Sequence, residues 1–220
     1  MRRPLIILCR AFFQISQSQS IIGMNIFKAL SVLPIISLLT LFGCAETQFN
    51  CEDSNYSEIL IGVDTSGSSK QFSKNYHQSL SRFLIDQSPT THITLFRFDC
   101  NTAEVYDGNP PETLEQSSML LKRVLTHSTD TKGTNLNELF KAFDKSIVKN
   151  NFQCLLKIYT DCGVEELTNS DLDNCKILIK NWDDNHKVST IQFSGVQDGN
   201  RELLRKICDS KNIKLVFEEE

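Results

Sequence analysis

An α/β fold, with a mostly parallel doubly wound sheet, one antiparallel edge strand and helices on both faces, is predicted by three features of this 220-residue chain. From Glu58 onward, short apolar runs alternate with longer segments of helical period, an order that favours parallel strands joined by crossover helices. One run, His92 to Phe98, is followed after Asp99-Cys100-Asn101 by a segment able to return beside it as a hairpin. Two runs end in an aspartate, Asp64 and Asp161, and in sheets of this kind ligands gather beyond the carboxyl ends of the strands.

The elements follow in order. Ile59 to Val63 reads as a buried strand, and Ser69 to Ile85 as a helix with Phe72, Tyr76, Leu80, Phe83 and Leu84 at helical spacing. His92 to Phe98 alternates as a strand does, with Ala103 to Tyr106 as its hairpin partner. Gly108-Asn109-Pro110-Pro111 ends that unit, and Pro111-Glu112 is expected to open a helix with Leu114, Met119, Leu120, Val124 and Leu125 as apolar positions. Beyond the loop His127 to Gly133, Thr134 to Val148 places Leu136, Leu139, Phe140, Phe143 and Ile147 on one helical face.

Cys154 to Thr160 predicts the next strand, Leu172 to Trp182 a helix, Val188 to Phe193 a strand, Arg201 to Cys208 a helix and Ile213 to Phe217 a last strand. Lys157 falls in what should be a central strand. Burying an unpaired ammonium is costly, so its head is expected to reach water at a strand end, or the register to differ by one.

A net charge of −4 with 23 scattered Lys and Arg residues provides no field for a polyanion, which disfavours nucleic acid as a partner. Ala29 to Phe42 is uncharged and apolar, preceded by Lys28 and followed by Gly43-Cys44, as in a signal peptide. It is short for a membrane span of ~20 residues and is interrupted by Pro34, so cleavage is expected rather than permanent insertion. Leu41-Phe42-Gly43-Cys44 resembles the lipobox of bacterial lipoproteins, although Phe42 is larger than that position usually holds. The resemblance implies cleavage before Cys44, a lipid thioether on it, and a membrane-anchored chain in the periplasm or at the cell surface. A second basic and apolar stretch precedes Met24, and translation is expected to start at that methionine.

Residues 1–43 thus form the signal region, 44–57 a polar tether and 58–220 the folded domain. After Cys44 the cysteines are Cys51, Cys100, Cys154, Cys162, Cys175 and Cys208. In an oxidising compartment they can form disulfides, though several, Cys154 above all, suit a core as small apolar residues. No C-x-x-C spacing or neighbouring histidine suggests zinc.

Three separated pieces carry the chemistry: Asp64-Thr65-Ser66-Gly67-Ser68 after the first strand, Gly133-Thr134-Asn135 at a helix start, and Thr160-Asp161 after the fourth strand. Together they resemble the von Willebrand factor A (VWA) domain and its metal-ion-dependent adhesion site, over roughly Glu58 to Glu220. The resemblance implies that Asp64, Ser66, Ser68, Thr134 and Asp161 hold a divalent cation, Mg²⁺ or else Mn²⁺ or Ca²⁺. It further implies that both serines touch the ion, that at least one aspartate acts through water, and that the ion grips an Asp or Glu of a protein partner. The family commonly has Gly after the second aspartate, where this chain has Cys162 and then Gly163. A Cys162–Cys175 disulfide across that loop is an accompanying expectation.

The residue types agree with that chemistry on their own. Hydroxyl and carboxylate oxygens suit hard cations, and neutral hydroxyls leave much of the ion's charge free to attract an anion. Taken singly, Ser66, Ser68 and Thr134 are equally suited to capping the helices they precede. Capping does not explain why Asp64 and Asp161 both end strands. An enzyme is the weaker alternative: Gly-x-Ser-x-Gly is absent, and the four histidines show no triad or metal spacing. Metal-assisted phosphoester hydrolysis and a metal-free scaffold stand as the competing readings.

Overall fold

The computed structural model describes residues 56–125, 133–149, 153–162 and 167–218. The signal region, Met24, Cys44, Cys51 and most of the tether lie outside the described residues. Within them, no helix is long and apolar enough to cross a membrane.

The described strands form one sheet: β1 (Glu58–Asp64), β2 (His92–Phe98), β3 (Thr102–Gly108), β4 (Cys154–Tyr159), β5 (Val188–Ser194) and β6 (Lys214–Glu218), in the order β3-β2-β1-β4-β5-β6. All neighbours are parallel except β2 and β3, which pair as the antiparallel hairpin at one edge. The strand order reverses between β1 and β4. A crevice opens at such a switch point, and Asp64 and Asp161 stand on either side of it.

The helices are α1 (Ser73–Ile85), entered through a 3₁₀ turn at Ser69–Phe72, α2 (Leu114–Val124), α3 (Leu136–Lys149), α4 (Asn169–Asp184) and α5 (Asp198–Ile207). Alternation along β1 divides the core. Ile59, Ile61 and Val63 pack with Tyr76, Leu80 and Leu84 of α1 and Leu121 and Val124 of α2. On the other face Leu60 packs with Leu136, Leu139, Phe140 and Phe143 of α3, Ile179 and Trp182 of α4, and Leu204 and Ile207 of α5. Each fully buried Leu, Ile or Phe contributes about 1.5–3 kcal/mol, so both faces are needed to offset the chain entropy of ordering the domain.

A close approach seats α3. A Cβ on Gly62 would lie 2.6 Å from Leu139 Cδ2, so the bare backbone of β1 lets α3 settle against it. That contact carries the loop before α3, with Thr134, to the end of β1.

Three expectations are corrected. Helix α2 starts after Thr113, whose hydroxyl accepts from Gln116 N at 3.2 Å, rather than at Pro111; the cap, not the proline, sets its beginning. Its buried stripe is Ser117, Leu121 and Val124, and Leu114 and Met119 are 59% and 54% exposed. Lys157 neither reaches water nor breaks register, because it pairs with Ile61 on one side and Gln192 on the other. Its ammonium runs along the sheet to Glu218 Oε2 at 2.6 Å and lies over the Phe83 and Tyr159 rings.

Candidate metal centre

Asp64 is the last residue of β1 and is fully buried. Its Oδ1 accepts from Ser66 N at 2.8 Å, which folds the chain back directly after the strand. Its Oδ2 accepts from Thr134 Oγ1 at 3.1 Å and from Thr160 Oγ1 at 2.6 Å. Thus residues from the first loop, the start of α3 and the end of β4 meet on one carboxylate. Ser66 Oγ and Ser68 Oγ lie 3.2 Å apart, and Ser68 is solvent exposed while Ser66 is buried. The constellation therefore opens outward on the Ser68 side.

The surrounding backbone fixes these loops. Ser69 Oγ shares its one proton between the carbonyls of Asp64 and Ser66, each at 2.9 Å. Thr65 N donates to Phe98 O, and Asn135 N to Asp99 O, so the turn between β2 and β3 braces both the first loop and the start of α3. Asn200 Nδ2 holds the Asp161 carbonyl at 3.3 Å.

The helix caps separate the two readings of the hydroxyls. Ser68, at the head of the 3₁₀ turn, makes no side-chain cap bond. At the start of α3, Asn135 Oδ1 accepts from Glu138 N at 3.2 Å, and the Thr134 hydroxyl is spent on Asp64 instead. Neither residue caps a helix.

Asp161 is 5% exposed, and its Oδ1 has no hydrogen-bond partner among the described residues. Its charge is felt at Asp64, whose carboxyl is raised above the usual range first by burial and last by Asp161, against the hydrogen bonds from Thr160 and Ser66. An orphaned buried carboxylate oxygen close to a second carboxylate is an expensive arrangement unless a cation joins it. Two carboxylates with hydroxyl oxygens suit a hard divalent ion, and the five predicted residues fit such a group. Among the described residues, no three His, Cys, Asp or Glu side chains converge as a metal cluster; the donor set depends on its hydroxyls.

The expected Cys162–Cys175 disulfide is corrected: both are free, buried thiols. Cys162 turns into the left-handed region at φ 52, and its N–H donates to Thr160 Oγ1 at 2.9 Å. Its thiol is raised by burial and by the charges of Asp64 and Asp161, and burial pushes Cys175 up to about 12. Both thiols pack in the core behind the site with Cys208. Sequence reasoning also missed Thr160 as a partner of Asp64, since a threonine before an aspartate at a strand end carries no distinguishing signal.

No family model matches the sequence, and no curated protein matches it significantly. Solved structures do share the architecture. A von Willebrand factor type A protein from Catenulispora acidiphila is 14% identical with a TM-score of 0.56, over 75% of this chain and 39% of its own. The chain has a von Willebrand factor A-like fold. BatB from Bacteroides thetaiotaomicron, at 12% identity and TM-score 0.54, is matched over 74% of this chain and 90% of its own. The pilus adhesin SpaC from Lactobacillus rhamnosus GG, in its open conformation, is 11% identical with a TM-score of 0.55, over 75% of this chain and 28% of its own. The chain thus spans nearly all of the second and well under half of the first and third. At these identities the likeness establishes the VWA-like fold and nothing finer.

Proposed function

We propose that this VWA-like domain binds a protein partner through a divalent cation, Mg²⁺ or else Mn²⁺ or Ca²⁺, that accepts an Asp or Glu from the partner. Asp64, Ser66, Ser68, Thr134 and Asp161 would hold the ion. The observation that carries the reading is the buried Asp161 Oδ1, which has no hydrogen-bond partner among the described residues, beside an Asp64 already fixed by three donors. When bound, the cation supplies a positive centre that neutral hydroxyls leave under-compensated and open to an outside carboxylate. The exposed Ser68 lies at the mouth, with the buried Ser66 hydroxyl 3.2 Å from it, while Ser69 and Asn135 keep their loops in place. The chain's export and its anchoring through lipid on Cys44 are part of the same proposal and rest on the sequence of residues 29–44.

The test is partner capture from the native host's extract by the immobilised domain in millimolar Mg²⁺. Release on chelation, restoration by added Mg²⁺ and loss in Asp64→Ala support the reading. Capture unchanged by chelation contradicts it, and turnover of a phosphoester by the metal-loaded domain would favour the hydrolase.

A further inference from the structure

We infer that Thr160 is a positioning residue that ties the two carboxylate-bearing loops together and sets the orientation of Asp64 toward the cation. The inference rests on the metal-site reading above and extends it to a residue outside the five proposed ligands.

A hydroxyl has one proton to give and two lone pairs. Thr160 Oγ1 accepts from Cys162 N at 2.9 Å, which leaves its single proton for Asp64 Oδ2 at 2.6 Å. Its own backbone N–H is bonded to Ser194 O at 3.0 Å, so the residue is anchored to β5 and cannot follow Asp64 if that side chain turns. The atoms concerned are buried, with Thr160 and Asp64 both at 0% exposure, where an oriented hydrogen bond holds its geometry without competition from water.

Two consequences follow from that one oxygen. On Asp64, Ser66 N holds Oδ1 and Thr160 holds Oδ2 by the shorter of its two hydroxyl bonds, so the carboxylate plane is fixed even when the Thr134 oxygen turns to other work. On the second loop, the bond from Cys162 N steadies a non-glycine residue in the left-handed region directly after Asp161. Thr160 therefore sets the relation of both aspartates without contributing an oxygen to the ion. Partners of metal-ligating carboxylates that act in this way typically change metal affinity by about 10–100-fold when removed.

The experiment measures Mn²⁺ affinity, by electron paramagnetic resonance of the free ion, for wild type, Thr160→Val and Thr160→Ser, with circular dichroism as a check on folding. Thr160→Val keeps the shape and removes the hydroxyl, and its affinity is expected to fall about 10–100-fold. Thr160→Ser restores the hydroxyl and is expected to bind close to wild type. If Thr160→Val does not fold, Thr160→Ala takes its place against the serine variant. Equal affinity in Thr160→Val and wild type overturns the inference and leaves the metal site standing, and so does a Thr160→Ser as weak as Thr160→Val. Absence of Mn²⁺ binding in wild type overturns the metal-site reading itself and this inference with it.

Discussion

Lys157 of the central strand β4 reaches across β5 to Glu218 at the end of β6, Nζ to Oε2 2.6 Å, with the ammonium fully enclosed and the carboxylate 35% exposed. Gln192 Nε2 and Ser194 Oγ also donate to that carboxylate. The asymmetry gives a prediction. Burial draws the lysine below its usual range, against the pull of Glu218, so removing the carboxylate strands a buried charge. Glu218→Ala is expected to cost about 3 kcal/mol, the low end for breaking a buried pair because Glu218 is partly solvated. Lys157→Met leaves a carboxylate that retains two donors and water, and should change stability by no more than about 1 kcal/mol. Urea denaturation of both variants decides; equal losses would count against a lysine held in place by Glu218.

Gly62 and Gly199 should respond oppositely to alanine. A Cβ on Gly62 would press on Leu139 at 2.6 and 3.0 Å, whereas one on Gly199 in α5 meets nothing within 4 Å. Gly62→Ala is expected to destabilise by about 1–3 kcal/mol through overpacking. Gly199→Ala is expected to stabilise by up to about 1 kcal/mol through helix propensity and unfolded-state entropy. Thermal melts compare them, and a harmless Gly62→Ala would show that the contact between β1 and α3 is loose.

Asp183 near the end of α4 accepts from Lys211 N, Asn212 N and Asn212 Nδ2 and so ties the turn before β6 to that helix. The Lys211 N–H, with further help from Asn212, holds its carboxyl below 3.8. A depressed folded value means its contribution is complete above the unfolded value and is lost as pH falls through the folded one. The stability gap between wild type and Asp183→Asn should therefore be constant near neutrality and narrow below pH 3.8. Denaturant midpoints across that range test it; a gap that widens toward acid would contradict the assignment.

Among the described cysteines, Cys100 is exposed, whereas Cys154, Cys162, Cys175 and Cys208 are buried, and none of the five is in a disulfide. A brief pulse of a thiol-specific alkylating agent on the native domain should label Cys100 and spare the other four until denaturant is added. Peptide mass mapping reads the pattern. A Cys162–Cys175 peptide pair resistant to alkylation after unfolding would restore the disulfide.

Five strands were legible because each centres on a short apolar run, β3 was legible through the turn that returns it beside β2, and β2 was read to the residue. The helices were less so at their starts. Helix α4 begins at Asn169 behind the Thr168 and Asp171 capping box, whereas periodicity alone placed it at Leu172, its first apolar residue. Leu121 was passed over in α2 because Leu114 and Met119 drew the apolar stripe toward a face that the fold leaves open. At the site, the order and types of Asp64, Ser66, Ser68, Thr134 and Asp161 were visible, and four of the five are joined by the hydrogen bonds around Asp64. The support beneath them was not. Thr160, Ser69 and Asn135 act through single bonds between residues distant in the chain or through backbone carbonyls, which leave no periodic or compositional trace.

Titration calorimetry of the folded domain with Mn²⁺ or Mg²⁺, run beside Asp64→Ala, addresses the central proposal most directly. Wild type is expected to show one saturable site per chain, and Asp64→Ala, folded by circular dichroism, to show none. No heat of binding in wild type, or the same isotherm in both proteins, would contradict it.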